Sequence, residues 1–510
     1  MKVELTVNDF LRRAETVYAD RIGLVDEPDV VGGELGSLTW AEVGRLARAQ
    51  AAALDQRGIG VGERVGIVSM NAARFVVSFF GVSGWGRVLV PINFRLSTVE
   101  MEYIVEHSGC SLLLVDPDMV DTVASIDIPK IVLGAEGDEE LYLHGADPRP
   151  WDGLEADTAT INYTSGTTAR PKGVQLTHRN IWLNATTFAL HTSVTDRDVY
   201  LHTLPMFHCN GWGMPYGVAG MGGTQIVIRK VDGADILRRI DQHGVTLMCG
   251  APAVVAMILD AAGSWQGEIP GRDRVRMVVA GAPPPTSTIE AVEKTLGWEF
   301  IQIYGLTETA PLLTINRRRR EFDDMSVHDR AVALGRAGAP ALGIQMKISD
   351  QGEVLARGNH ILEGYWDQPE ASADALEGGW FHTGDGGTID EDHYLTISDR
   401  KKDVIISGGE NVSSIEVEDA LFSHEAVAEA AVIGVPDEKW GETVKGLVVL
   451  HPGTEATERE LIDHCRDRLA HYKCPTSVEI RDELSRTATG KLQKFKLRAP
   501  YWEGREKLVN

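Results

Sequence analysis

The sequence predicts an α/β fold: a large N-terminal body of stacked α/β sheets, a small β domain packed beside it, and an α+β cap at the C-terminus. Three observations carry this reading. Apolar strand-like runs alternate with helical patterns through the first three fifths of the 510 residues, the grammar of largely parallel sheets. From about Leu334 the texture changes to glycine-punctuated β segments: Gly352-Glu-Val-Leu-Ala-Arg-Gly358, Gly364-Tyr-Trp366 and Gly379-Trp-Phe-His-Thr-Gly-Asp385. After Arg400-Lys-Lys-Asp403 a compact unit follows, in which helices and strands again mix.

In chain order, Val7 to Tyr18 and Trp40 to Gly58 carry helical apolar spacing, with a turn-rich acidic segment between them. Arg64 to Ser69 reads as a strand, Asn71 to Val82 as an amphipathic helix, Val88 to Asn93 as a strand, Thr98 to Ser108 as a helix and Leu112 to Asp116 as a strand. Thr158 to Tyr163 and Gly173 to Leu176 are two short strands, the second followed by a helix opened by Thr177 or Asn180. Leu237 to Gly250 and Val275 to Ala280 continue the pattern, and Glu299 to Ile303 is strand-like. Arg317 to Arg320 is a charge run, read as a solvated surface loop. In the last unit, strands at Val404–Ser407, Ala430–Val435 and Thr443–His451 alternate with helices at Ser414–Ser423 and Thr457–His471.

Composition narrows the function. The formal charge is 50 − 74 = −24, which disfavours nucleic-acid wrapping and docking on anionic lipid. Any anionic substrate needs local positive loops. The five cysteines (Cys110, Cys209, Cys249, Cys465, Cys474) are scattered without a CxxC pair, so neither a disulfide framework nor a zinc site is indicated. The start lacks an apolar signal core, and nowhere do about 18 apolar residues run together. A cytoplasmic protein without a transmembrane segment is expected, and a homodimer stays open.

The stretch Tyr163-Thr-Ser-Gly-Thr-Thr-Ala-Arg-Pro-Lys-Gly173 is the chemical centre of the sequence. Gly166 and Gly173 allow close backbone approach. Thr164, Ser165, Thr167 and Thr168 offer hydroxyl and backbone donors, and Arg170 and Lys172 add positive charge. A polyphosphate needs such a cradle. The spacing Gly-x5-Lys-Gly is not that of a Walker loop. The pattern resembles the phosphate-loop signature of the adenylate-forming enzymes, a family of acyl-CoA synthetases, luciferases and peptide-synthetase adenylation domains. Ala169 stands where that family usually has glycine.

Further motifs follow in the family's order. Ile303-Tyr-Gly-Leu-Thr-Glu-Thr309 taken alone is a helix cap with Thr307 as its first residue. Beside the phosphate loop it resembles the family's Tyr-Gly-x-Thr-Glu signature, which implies Glu308 as the magnesium ligand, Tyr304 as the residue stacked on adenine, and Gly305 and Thr307 as nucleotide contacts. Gly281, Ala282 and Pro283, in the turn Ala280-Gly-Ala-Pro-Pro-Pro285, resemble the adenine-side and acyl-pocket turn, though taken alone a plain proline-rich turn fits the residues equally well. Asp385 of His382-Thr-Gly-Asp385 and Arg400 of Ser398-Asp-Arg-Lys-Lys-Asp403 resemble the ribose-binding pair. The resemblance makes Lys402 the pivot of a mobile cap, so the expected domains are 1–399, a hinge at 400–403, and 404–510.

Pro205-Met-Phe-His-Cys-Asn-Gly-Trp-Gly213 falls where the family builds its acyl pocket, implying His208, Asn210, Trp212 and Gly213 as pocket residues. The segment carries no carboxylate to hold an α-amino group, so an uncharged chain or ring, medium-length aliphatic or aromatic, suits it better than an amino acid. His202, His208 and Cys209 lack the spacing of a metal site, and Cys209 lacks a local activating motif for a nucleophile. Gly408 and Gly409 resemble the thioester-state loop, in which Ser414 replaces the usual proline. Trp440 and Lys473 are candidate CoA contacts. Thr489-Gly-Lys491-Leu resembles the catalytic lysine loop, where one ammonium bridges the attacking carboxylate and the α-phosphate. With Lys491, the resemblance assigns Glu308, Thr164 and Lys172 to catalysis. It implies an ATP-dependent ligase using Mg²⁺, a small carboxylic acid and coenzyme A. Transfer to a carrier protein or another acceptor is the alternative.

Overall fold

The computed structural model describes residues 1–28, 30–164, 171–400, 405–407, 410–437, 440–486 and 492–503. Two large sheets form the body. Their strands, in chain order, are β1 (Ile22–Val25), β2 (Ser37–Thr39), β3 (Arg64–Val68), β4 (Val88–Ile92), β5 (Cys110–Val115) and β6 (Lys130–Val132). Next come β7 (Thr158–Thr164), β8 (Lys172–Thr177), β9 (Val199–His202), β10 (Thr224–Val227), β11 (Leu247–Gly250) and β12 (Arg276–Val279). The body ends with β13 (Glu299–Gly305), β14 (Leu312–Asn316), β15 (Ala339–Pro340) and, further on, β18 (Gly364–Tyr365).

One sheet has nine strands in the order β15-β14-β13-β12-β11-β9-β10-β1-β2, parallel from β13 through to β1. The other has seven, β18-β8-β7-β4-β3-β5-β6, parallel from β7 to β6 and antiparallel at the β8–β18 edge. Parallel strands covered by helices on their faces are buried on both sides, which is why β3, β4, β5 and β11 read as continuous apolar runs. The helices Asn8–Tyr18, Trp40–Gln56, Ala73–Gly81, His178–His191 and Met214–Met221 supply much of the main core. Tyr216 lies there against Phe10, Phe79 and Phe80, with ring centroids 5.5–6.1 Å apart.

The expected small β domain is a four-stranded antiparallel sheet, β16 (Ile344–Ile348), β17 (Glu353–Gly358), β19 (Phe381–Ile389) and β20 (Leu395–Arg400). The last unit is a five-stranded sheet of β21 (Ile405–Ser407), β22 (Glu410–Val412), β23 (Val427–Asp437), β24 (Gly441–Leu450) and β25 (Ser477–Ile480), with helices Ser414–Phe422 and Glu458–Arg466. It has its own apolar core around Val417, Leu421, Val432 and Leu461.

Three details differ from the sequence reading. The acidic segment between the first two helices holds β1 and β2, and Leu24 on β1 is fully buried. The helix expected over Thr457–His471 ends at Arg466. Beyond it the chain turns so that the Cys474 thiol sits buried against the Leu469 and Ala470 carbonyls. The run Arg317–Arg320 is a surface segment, yet it is pinned: Arg317 pairs with Glu299, Arg318 with Asp323, and Arg319 lies over the Phe322 and Tyr394 rings. No helix among the described residues is long and apolar enough to cross a membrane, and the five cysteines are all free thiols.

Candidate active site

Parallel order brings the motifs together. Because β9, β11, β12 and β13 run the same way as neighbours, their C-terminal ends lie in one row. That row carries the His208 segment, the Gly250–Pro252 turn, the Gly281 turn and the Thr307–Glu308 turn. A crevice beyond the carboxyl ends of parallel strands is where such sheets bind ligands. The Gly250 turn was not singled out from the sequence; its place between two recognised turns only becomes evident from strand order. Gly281 has φ +97°, a backbone state that side-chain-bearing residues avoid, so the glycine there is required by the turn.

The phosphate loop is closed at its base by the β7–β8 ladder, where Thr164 stands opposite Lys172. The helix after it begins as expected, with Thr177 and Asn180 forming a capping box. Tyr163, at the end of β7, has its hydroxyl 2.8 Å from Nδ1 of His107. Ser165, Gly166, Thr167 and Thr168, together with Ala169 and Arg170, lie outside the described residues, as do Lys402, Gly408, Gly409 and Lys491.

A short segment then ties this loop to the Thr-Glu turn. β18 pairs antiparallel with β8, setting Tyr365 opposite Val174. From there the Tyr365 hydroxyl donates to Oε1 of Glu308 at 3.0 Å, while Nζ of Lys172 lies 4.7 Å from the centroid of the same ring. The amide of Leu362 donates to the backbone carbonyl of Glu308 at 2.7 Å. Burial, and then the Glu308 carboxylate, push the Tyr365 phenol well above its ordinary range, so it stays a donor. Glu308 presents a hard oxygen donor beside the Thr307 hydroxyl, and one carboxylate plus phosphate oxygens is a donor set that suits Mg²⁺. Thr307 does not cap a helix: residues Thr307–Thr309 form a single 3₁₀ turn, and it is Thr309 whose hydroxyl bonds to Leu306.

A second convergence joins body and β domain. Tyr304, near the end of β13, donates its hydroxyl to Oδ2 of Asp385 at 2.7 Å. Asp385 is 6% exposed, and its amide is held by the Thr383 hydroxyl. The turn before it is fixed by Glu353, which accepts from the Gly384 amide at 2.9 Å. Arg400 ends β20 with its backbone opposite Asp385. Two residues that the resemblance places on one nucleoside, from motifs about eighty positions apart, are thereby hydrogen-bonded neighbours.

The acyl-side segment behaves differently. Cys209, Asn210, Gly211, Trp212 and Gly213 all have positive φ, between 47° and 81°, a left-handed turn that costs roughly 1–2 kcal/mol for each residue with a Cβ. Buried hydrogen bonds hold it. Asn210, 2% exposed, accepts from Asn162 at 3.1 Å and donates to the Thr160 hydroxyl at 3.0 Å, and Asn184 donates to the Trp212 carbonyl at 3.2 Å. Asn210 is therefore a brace between this turn and β7: both ends of its amide are engaged by the strand that feeds the phosphate loop. Trp212, 4% exposed, packs in the main core, and Gly213 abuts the Asn184 amide, leaving no room for a side chain. Only His208 is half-buried. The apolar character of Met214–Met221 likewise belongs to core packing against the helices Asn8–Tyr18 and His178–His191.

Burial, and secondarily Glu308, raise the Cys209 thiol far above its ordinary range, so it is no thiolate nucleophile. His202 is buried, bonds through Nε2 to Gln225 at 2.8 Å, and is pushed down to about 4 by burial, which keeps it neutral. In the C-terminal unit Trp440 is 48% exposed, whereas Lys473 is ion-paired with Glu416 at 2.7 Å. Ser414 accepts a hydrogen bond from Lys494, which also pairs with Glu418 at 2.8 Å.

A polyphosphate loop, a Thr-Glu turn and a nucleoside-side Tyr–Asp pair, gathered at the rim of a parallel sheet and followed by a separate α+β unit, define an adenylate-forming enzyme. Residues 11–366 match the AMP-binding enzyme family model and residues 416–491 match that of the AMP-binding enzyme C-terminal domain. The chain belongs to this family and is of the acyl-CoA synthetase type. It is 37% identical to 2-methylpropanoate–CoA ligase CCL4 of Humulus lupulus, over 97% of this chain and 94% of that one. Its fold is similar to that of the anthranilate CoA ligase AuaEII solved with anthranoyl-AMP, with TM-score 0.87, 27% identity and 98% of each chain covered. It is also similar to O-succinylbenzoate coenzyme A synthetase MenE of Bacillus subtilis solved with ATP and magnesium ion, with TM-score 0.83, 29% identity, and 96% of this chain and 99% of that one covered.

Proposed function

We propose that this acyl-CoA synthetase activates a monocarboxylic acid with an uncharged chain or ring, medium-length aliphatic or aromatic, as its acyl-adenylate with release of pyrophosphate, and then transfers the acyl group to coenzyme A. The observation that carries this is the double convergence at the strand ends: Lys172, Tyr365 and Glu308 on one side, Tyr304 and Asp385 on the other. In this reading the loop from Thr164 to Lys172 holds the polyphosphate. Asp385 accepts from the ribose, with Arg400 beside it. Tyr304 lies along the adenine, between the Gly281–Pro283 turn and Gly305. Glu308, with Thr307, would hold Mg²⁺, which when bound neutralises phosphate charge. The work of the chain is then to place two anions together so that one attacks the other.

Lys491 is assigned to the α-phosphate during adenylation, and Lys402 to the pivot about which the C-terminal unit turns to bring Gly408 and Gly409 to the pantetheine. Discrete polar links between that unit and the rest support a rotating cap: Ser413 donates to the Ser398 carbonyl, and the Thr286 amide donates to Asp419 at 3.2 Å. His208, the half-buried residue among the four proposed for the pocket, is no carboxylate, which supports an uncharged acyl group. The similar proteins named above act on acids as different as 2-methylpropanoate and anthranilate, so the acid is to be found with a panel. Incubating the protein with MgATP, CoA and straight-chain, branched and aromatic acids should give AMP and an acyl-CoA from an uncharged acid. Formation of ADP and phosphate, or preference for diacids or amino acids, would overturn the reading.

A further inference from the structure

We propose that Tyr365 is a positioning residue for adenylation: its hydroxyl fixes the Glu308 carboxylate and its ring seats Lys172. The inference rests on the reading of Glu308 as the carboxylate that faces the cation. The terminal torsion of a glutamate is broad and soft, so a carboxylate that must meet a metal is ordinarily held by an outer hydrogen bond. Here that bond is the 3.0 Å donation from the Tyr365 hydroxyl. The same short segment grips the backbone of Glu308 through the Leu362 amide. Glu308 is thus held at both ends by residues 362–365.

Tyr365 is itself firmly placed. Its amide donates to Ser372 Oγ at 2.8 Å, its carbonyl accepts from the Gln368 amide at 3.1 Å, and β18 is laddered to β8. Because Lys172 opens β8, that ladder also sets the ammonium over the face of the phenol, the electron-rich side that attracts a cation. One phenol therefore presents its donor to the anionic group and its face to the cationic one. Lys172 and Glu308 come from separate sheets of the body, and the Tyr365 side chain touches both.

The experiment separates this role from a merely structural one. ATP binding to the full chain is measured by titration calorimetry with Mg²⁺ and with EDTA, and the gain in affinity that Mg²⁺ confers is compared among variants. Tyr365→Phe keeps the ring, the ladder and the Lys172 contact and removes only the hydroxyl. It should reduce the Mg²⁺-dependent gain about tenfold, as expected for loss of a hydrogen bond to a charged group, with ATP affinity in EDTA and the melting temperature unchanged. Tyr365→Leu should also weaken ATP binding in EDTA, because Lys172 loses its seat. Glu308→Gln is the control on the underlying reading. If it leaves the gain intact, Glu308 does not face the cation. If Glu308→Gln abolishes the gain while Tyr365→Phe retains it in full, the positioning role of Tyr365 is overturned.

Discussion

The two sides of the site are built in opposite ways. On the nucleotide side, Lys172, Tyr304, Glu308 and Tyr365 are only partly buried, though Asp385 is buried, and their contacts run between distant stretches: Lys172 and Glu308 with Tyr365, Tyr304 with Asp385. On the acyl side, Cys209 to Gly213 are buried, left-handed and consumed by hydrogen bonds into the core. Both stretches stand out in the sequence by unusual composition. In the first, that composition leaves charged and hydroxyl groups at the strand ends; in the second, it chiefly serves the backbone, whose strained turn must be braced before anything can bind against it. A motif residue is thus not automatically a contact residue, and exposure with partner identity distinguishes the two.

Substitutions can break or sharpen this contrast. The largest effect is expected from Glu308→Gln. It should lower the rate of adenylation about a hundred- to a thousandfold, as loss of a charge-stabilising group at a reacting centre does, with little change in melting temperature. Pyrophosphate exchange and calorimetry on the same preparation check this; a large loss of stability would mean Glu308 serves the fold.

Asn210→Ala should do the reverse. It removes the acceptor of the buried Asn162 amide N–H and the donor to the Thr160 hydroxyl, which keeps its own bond to Asn162, at about 1–3 kcal/mol, and keeps the strained φ. Denaturant unfolding should show that loss, and unchanged stability would remove the brace from the account. Tyr304→Phe should raise KM for ATP several-fold, up to about tenfold for a bond to a carboxylate, through the freed Asp385 carboxylate, while leaving the KM for the acid alone. The smallest effect is expected from Cys209→Ala: a buried neutral thiol is packing, so adenylation should stay within about threefold, the loss following stability of about 1 kcal/mol. Abolished turnover would contradict a packing role.

Much of this was legible in the sequence. β7, β8, the capped helix after them, β3 to β5 and the change of texture at Leu334 follow from apolar period, glycines and caps. The Thr164–Lys172, Glu308, Tyr304 and Asp385 assignments come from motif order alone and are what the substitutions above test; the structure adds that Lys172 and Glu308 both meet Tyr365 and that Tyr304 bonds to Asp385. What escaped depends on pairing across the chain. Tyr365 sits in a two-residue strand that reads as a β fragment, and its meaning comes only from lying beside β8, which is nearly two hundred positions earlier. The Gly250 turn has no signal of its own; it gains its place because β11 lies between β9 and β12. That Asn210 braces its turn against β7 has no sequence signal, because a buried amide engaged by two side chains and one facing a ligand have the same letter. Strands as short as β1 and β2 carry too few residues to establish a period.

The central claim is that the residues gathered at the strand ends form an acyl-adenylate before any thiol is involved. It is tested most directly by isotope exchange between pyrophosphate and ATP in the absence of CoA, with and without an accepted carboxylic acid. The account predicts exchange that needs both Mg²⁺ and the acid and proceeds without CoA. Exchange that appears only when CoA is added, or that ignores the acid, would contradict it.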